Sequence, residues 1–147
     1  MKIQSVKIIS NNISYGPEPF PEDEVEQHLT ISATGRVWYT SYKYGDGFGK
    51  HEISRKQHLA IGKPIANEIL ELFLQYMNSD QPLLFATDIG TWEMIITDTE
   101  DKTFKFNGSL FGEVMVGEID LTDYIRKQIP IDNLFVFGDS FLELDDE

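Results

Sequence analysis

Ile61-Gly62-Lys63-Pro64-Ile65-Ala66-Asn67-Glu68-Ile69-Leu70-Glu71-Leu72-Phe73-Leu74-Gln75-Tyr76-Met77 is the one long stretch of this chain with a helical period. Ile65, Ile69, Leu72, Phe73, Tyr76 and Met77 recur at three- and four-residue spacings, and Ala66, Leu70 and Leu74 widen the stripe. Pro64 suits the first helical turn, where its missing N–H costs nothing. Asn78 to Pro82 ends the helix with turn residues and a proline. A helix this apolar on one side needs a sheet to cover, and the flanking segments supply strands.

Upstream, Lys2–Ile9 is β-branched and reads as a first strand. Glu24–Ser32 alternates: Val25, Gln27, Leu29 and Ile31 share one face, and Glu26, His28 and Thr30 the other. Ala33-Thr34-Gly35 is a hairpin loop with glycine where a positive φ is expected. Arg36–Tyr42 returns, with Val37, Tyr39 and Ser41 on one side and Trp38, Thr40 and Tyr42 on the other. Both sides carry aromatics, so the strand is either covered twice or presents one aromatic face. His51–Ile61 follows, with Ile53, Leu59 and Ile61 in phase. Tyr15 and Phe20, in the proline-rich loop from Asn11 to Asp23, are expected to tuck into the domain.

Downstream, Leu83-Leu84-Phe85 reads as chain docked on the core. Thr91–Thr97 and Thr103–Asn107 form a second hairpin, and Ser109–Val116 continues as a short strand. Asp120 caps a short helix whose stripe is Leu121, Tyr124, Ile125 and Ile129, with Pro130 stopping it. Asn133–Phe137 is an apolar run that reads as a last strand. The expected fold is α+β: a mostly antiparallel sheet of about six to eight strands, with one long and one short helix packed on one face. Residues 1–147 are expected to form a single domain, with the acidic tail from Glu143 to Glu147 frayed.

The 147 residues contain no cysteine, which rules out disulfides, thiolate catalysis and cysteine-ligated metals. No signal peptide and no span of roughly 20 apolar residues is visible, so a cytoplasmic protein without membrane association is expected. The net charge is −13. It is uneven: six bases and two acids fall in 36–63, whereas four bases and eighteen acids fall in 64–147. Such a surface repels a polyphosphate, which argues against nucleic acid; it serves solubility or steers the chain toward a basic partner protein.

The motifs that carry chemistry are weak. His51 and His58 face opposite sides of a regular strand, and His51-Glu52 lacks the second histidine of a zincin helix. Gly45-Asp46-Gly47-Phe48-Gly49-Lys50 lacks the spacing of a Walker loop and enters a strand rather than a helix. Asp98, Glu100 and Asp101 bunch at a hairpin tip without calcium-loop spacing. No serine-nucleophile signature occurs, and no cofactor is expected. What stands out is an aromatic strip beside bases: Trp38, Tyr42, Tyr44 and Phe48 with Arg36 and Lys43, residue types enriched in binding hot spots. The leading reading is a small, acidic, non-enzymatic interaction domain of inhibitor or immunity type, with an open sheet edge that can pair with a second copy. The alternatives are a small-ligand-binding domain using Trp38–Gly49, and a hydrolase built from scattered acids and a histidine.

Overall fold

A computed structural model describes residues 2–11, 20–45, 51–79, 90–109, 114–132 and 134–137. The elements run β1 (Ile3–Asn11), β2 (Glu24–Ser32), β3 (Arg36–Lys43), β4 (Glu52–Ala60), α1 (Lys63–Met77), β5 (Thr91–Asp98), β6 (Thr103–Ser109), β7 (Met115–Val116), β8 (Ile119–Asp120) and α2 (Leu121–Gln128). Six strands form one antiparallel sheet in the order β4-β3-β2-β1-β5-β6, and β7 and β8 pair as a separate hairpin. The fold is α+β with a mostly antiparallel sheet. The chain leaves the sheet at edge strand β4 and re-enters at β5, four strand spacings away, about 19 Å. The fifteen residues of α1 rise about 22 Å, enough to lie across that span.

The strand register sorts the inner face into three rows. Leu59, Val37, Ile31, Val6, Ile96 and Phe104 form the first, and Gln57, Tyr39, Leu29, Ile8, Met94 and Phe106 the second. Helix α1 packs Ala66, Ile69, Leu70 and Phe73 into the same core cluster, and Tyr76 meets Phe106 edge-on at 5.6 Å. The period that reads as a helix in the sequence is thus the lid over the two apolar rows.

The third row is Arg55, Ser41, Gln27, Ser10, Trp92 and Gly108. Ser10, Gln27 and Ser41 are polar yet buried. Their partners lie far along the chain. Gln27 Oε1 accepts from Phe135 N at 2.7 Å, and the Ser10 hydroxyl donates to the Val136 carbonyl. From α2, Arg126 donates through Nε to Leu134 O at 2.7 Å and through its terminal nitrogen to Phe135 O at 3.2 Å. A buried backbone without ladder bonds needs such partners, because each orphaned group costs about 1–3 kcal/mol. This arrangement corrects the expectation of a strand at Asn133–Phe137. Leu134 to Phe137 is irregular, Val136 has φ 54°, and side chains take the place of a neighbouring strand. The segment's apolar side still packs: Phe137 meets Trp92 at 4.9 Å and Phe73 at 6.2 Å.

Other expectations hold or shift in detail. The Asp120 carboxylate caps α2, accepting from Thr122 N at 2.9 Å and Asp123 N at 3.3 Å. Asp98, which the sequence places with Glu100 and Asp101 at a hairpin tip, is buried and folds the turn itself, accepting from Glu100 N and Lys102 N. Phe20, expected to be tucked, is 75% exposed. Ile53 leaves its expected phase because a bulge between Ser41 and Tyr42 sets Tyr42 opposite Ile53, and Ile53 is 58% exposed. Tyr15 and Leu83-Leu84-Phe85 lie outside the described residues.

Candidate functional site

The two sides of the sheet differ in cover. α1, α2 and the 134–137 segment lie over the inner face, and no described segment lies over the outer one. Along β3 and β4 the outer face presents Arg36, Trp38, Thr40 and Tyr42 beside Ala60, His58, Lys56 and Ile53. The Trp38 indole stacks on His58, with centroids 5.1 Å apart and planes 6° apart, and remains 43% exposed. Stacking fixes the indole's orientation while leaving one ring face free. Next along β3, Tyr42 packs against His28 of β2 at 5.0 Å.

The six residues of the sequence-level strip do not act as one group. Arg36, Trp38 and Tyr42 share the outer face. Tyr44 is buried, 6% exposed, and packs against His51 at 5.6 Å. Lys43 projects to the other side of the strand, where its Nζ lies 3.5 Å from Glu22 and 3.8 Å from Glu52. Phe48 lies outside the described residues. Lys56, His58 and Ile53 complete the face and were missed as members of it. His58 was legible from alternation, but Ile53 was not, because the bulge that turns it outward has no sequence marker.

Two carboxylates sit at the margin of this region, one on each face. On the inner side Glu24 is the hub of a network. Arg55 grips it with two nitrogens, Nε to Oε2 at 2.9 Å and a terminal nitrogen to Oε1 at 2.7 Å. The Tyr39 hydroxyl donates to it at 3.1 Å while accepting from Arg55 at 2.8 Å, and Gln27 Nε2 donates at 3.1 Å. Burial pushes the Glu24 carboxyl up, but the Arg55 guanidinium, with Tyr39 and Gln27, outweighs it and holds the group below the ordinary glutamate value. Burial, reinforced by the neighbouring Glu24 charge, pushes the Tyr39 phenol far above its ordinary value. A carboxylate fully engaged by four donors and a phenol that stays protonated are poor acid–base catalysts; they tie β2, β3 and β4 together.

On the outer side Glu26 accepts from Asn11 Nδ2 at 3.0 Å and lies 2.8 Å from His28 Nε2. The His28 hydrogen bond lowers the Glu26 carboxyl, burial opposes it, and Asn11 adds to the lowering. Among the described residues no three His, Asp or Glu side chains gather in a way that could hold a metal ion. A cavity of about 410 Å³ opens at the start of β1 beside α1, lined by residues including Lys2, Ile3, Asn67, Leu70 and Glu71, and none of the aromatic strip reaches it.

Both glutamates are lowered in the folded state, so each adds stability that is complete above the unfolded glutamate value, about 4.3, and is lost as the pH falls through the lower folded value. Urea unfolding between pH 7 and pH 3 is expected to show a steep loss below about pH 5. In Glu24→Gln that loss is expected to be shallower. An unchanged slope would remove Glu24 from the acid-sensitive set.

No protein-family model matches the sequence, and a search of curated proteins returns no match. Among the described residues no helix is long and apolar enough to cross a membrane.

Proposed function

We propose that this chain is a non-enzymatic protein-binding module, of inhibitor or immunity type and acting in the cytoplasm, that docks its partner on the outer face of β3 and β4. The observation that carries the reading is the exposed, stacked Trp38–His58 pair on a face that no described segment covers. A large aromatic side chain held rigid in water forfeits burial, and hot spots are where such groups regain it. Tyr42 and Ile53 extend the apolar surface along the same two strands.

The rival enzyme reading finds less support, because the titratable network around Glu24 has its acceptor capacity taken up by Arg55, Tyr39 and Gln27. A small-ligand site fares little better: the outer face is part of an open sheet, and the cavity beside α1 contains no strip residue. Pairing of β4 with a second copy is disfavoured by the bulge at Ser54 and by Arg55 and Lys56 on that strand, features that blunt sheet edges.

Affinity capture from the source cell, followed by calorimetry with the partner identified, tests the proposal. Trp38→Ala is expected to weaken that complex by about 30-fold, the effect of losing a hot spot worth about 2 kcal/mol. Its unfolding midpoint should stay at the wild-type value, since the side chain is outside the core. An equal affinity for wild type and Trp38→Ala would place docking elsewhere on the molecule. A basic partner would then meet the acids outside this face, as the net charge of −13 suggests.

A further inference from the structure

The charge of the outer face is opposite to that of the chain. By register, Lys7, Arg36, Lys56 and Lys105 point to this side, and among the described strand residues only Glu26 and Glu93 oppose them. Glu26 is already engaged by His28 and Asn11. A net charge of −13 therefore coexists with a sheet face on which bases outnumber acids. At physiological salt the screening length is about 8 Å, so contacts at the face feel its own charges before those of the far side.

The bases also have a spacing. Arg36 and Thr40 lie four residues apart on β3, and Lys56 is the register partner of Thr40. Along the strand direction Arg36 and Lys56 are thus about 13 Å apart, with the Trp38–His58 pair midway. An extended chain places residues i and i+4 about 13 Å apart and points i, i+2 and i+4 to one side. We propose that the outer face of β3 and β4 receives an extended segment of a partner protein with the pattern acidic–x–apolar–x–acidic. The two carboxylates meet Arg36 and Lys56, and the central apolar side chain lies on Trp38. This rests on the docking face proposed above and adds the chemistry of its occupant. A single strand of nucleic acid could also stack on Trp38, but tracking its backbone calls for a continuous basic groove, whereas Arg36 and Lys56 stand about 13 Å apart on a face that also carries Glu26 and Glu93.

The test uses the full chain, labelled with nitrogen-15, and acetylated peptides as probes at 0.1 M salt. Trp38 and Trp92 are the two tryptophans, and Trp92 is in the core, so the Trp38 indole N–H signal reports on the face and the other serves as the control. The peptide Glu-Thr-Phe-Thr-Glu is expected to move the Trp38 signal and leave Trp92 in place. Lys-Thr-Phe-Thr-Lys and a twelve-residue oligothymidylate are expected to move neither signal. The double variant Arg36→Glu, Lys56→Glu is expected to weaken the acidic peptide about tenfold, as loss of two exposed charge contacts implies. Equal binding of the basic peptide, stronger binding of the oligothymidylate, or a silent acidic peptide would overturn the proposal. If Trp38→Ala abolishes partner binding while the double charge variant binds normally, the docking face stands and its acidic occupant falls. If both variants bind the partner normally, the face itself is wrong.

Discussion

Phe73→Ala is expected to lower the unfolding free energy by about 3–5 kcal/mol, measured by urea denaturation at neutral pH. Phe73 has no exposed surface and stands where three parts of the core meet. It belongs to α1, it joins the cluster containing the two apolar rows of the sheet, and its ring lies 6.2 Å from Phe137. Truncation removes the transfer free energy of the ring and leaves a cavity that rigid neighbours fill only in part. Phe137 in turn packs edge-on against Trp92 at 4.9 Å, so the near-ultraviolet signal of the buried tryptophan should lose intensity along with stability. Since whole domains are stable by about 5–15 kcal/mol, the variant is expected to sit close to the limit of folding at 37 °C. A loss under about 1 kcal/mol would mean that α1 is a peripheral lid. The exposed Glu71 on the same helix offers the contrast: Glu71→Ala should change stability by no more than about 0.5 kcal/mol.

The alternation of β2, β3 and β5 and the period of α1 were legible because each follows from a single face being covered. Gln27 falls in the buried phase of β2 in the sequence, and it is buried in the structure. The reason for a polar residue there could not be read, because its partner, Phe135, is 108 residues away. The same gap misled the reading of 134–137. An apolar run with β-branched and aromatic residues looks like a strand, but the sheet has no free ladder at that place and the chain is held by Ser10, Gln27 and Arg126 instead. At the docking face, Trp38 and Tyr42 were assigned to one side of β3 by alternation alone. Which side α1 covers was a tertiary fact. Tyr39 on the covered side and Trp38 on the open side are neighbours in sequence with opposite fates. Net charge was the least transferable signal, because acids and bases separate by face only after folding.

Gly35→Ala is expected to cost about 2–4 kcal/mol, more than a loop substitution ordinarily does. Gly35 closes the β2–β3 hairpin with φ 91°, where a side chain is strained. The turn also abuts the start of α1. A Cβ at position 35 would stand 2.7 Å from the Gly62 carbonyl carbon and 2.9 Å from Lys63 N, both backbone atoms that cannot rotate aside. Relief requires the hairpin and the helix start to separate, which strains the bond from Ile61 N to Gly35 O, 2.8 Å long. Gly117, between β7 and β8, separates the two contributions. Its φ is 59° and nothing lies within 4 Å of a Cβ there, so Gly117→Ala carries the backbone penalty alone, about 1 kcal/mol. Urea unfolding of the two variants side by side reads the difference. A larger loss at Gly35 assigns the excess to the junction that fixes where α1 begins, and hence which residues of the helix reach the core. Equal losses would show that the junction yields without cost, and the position of α1 would then be set by its apolar stripe alone.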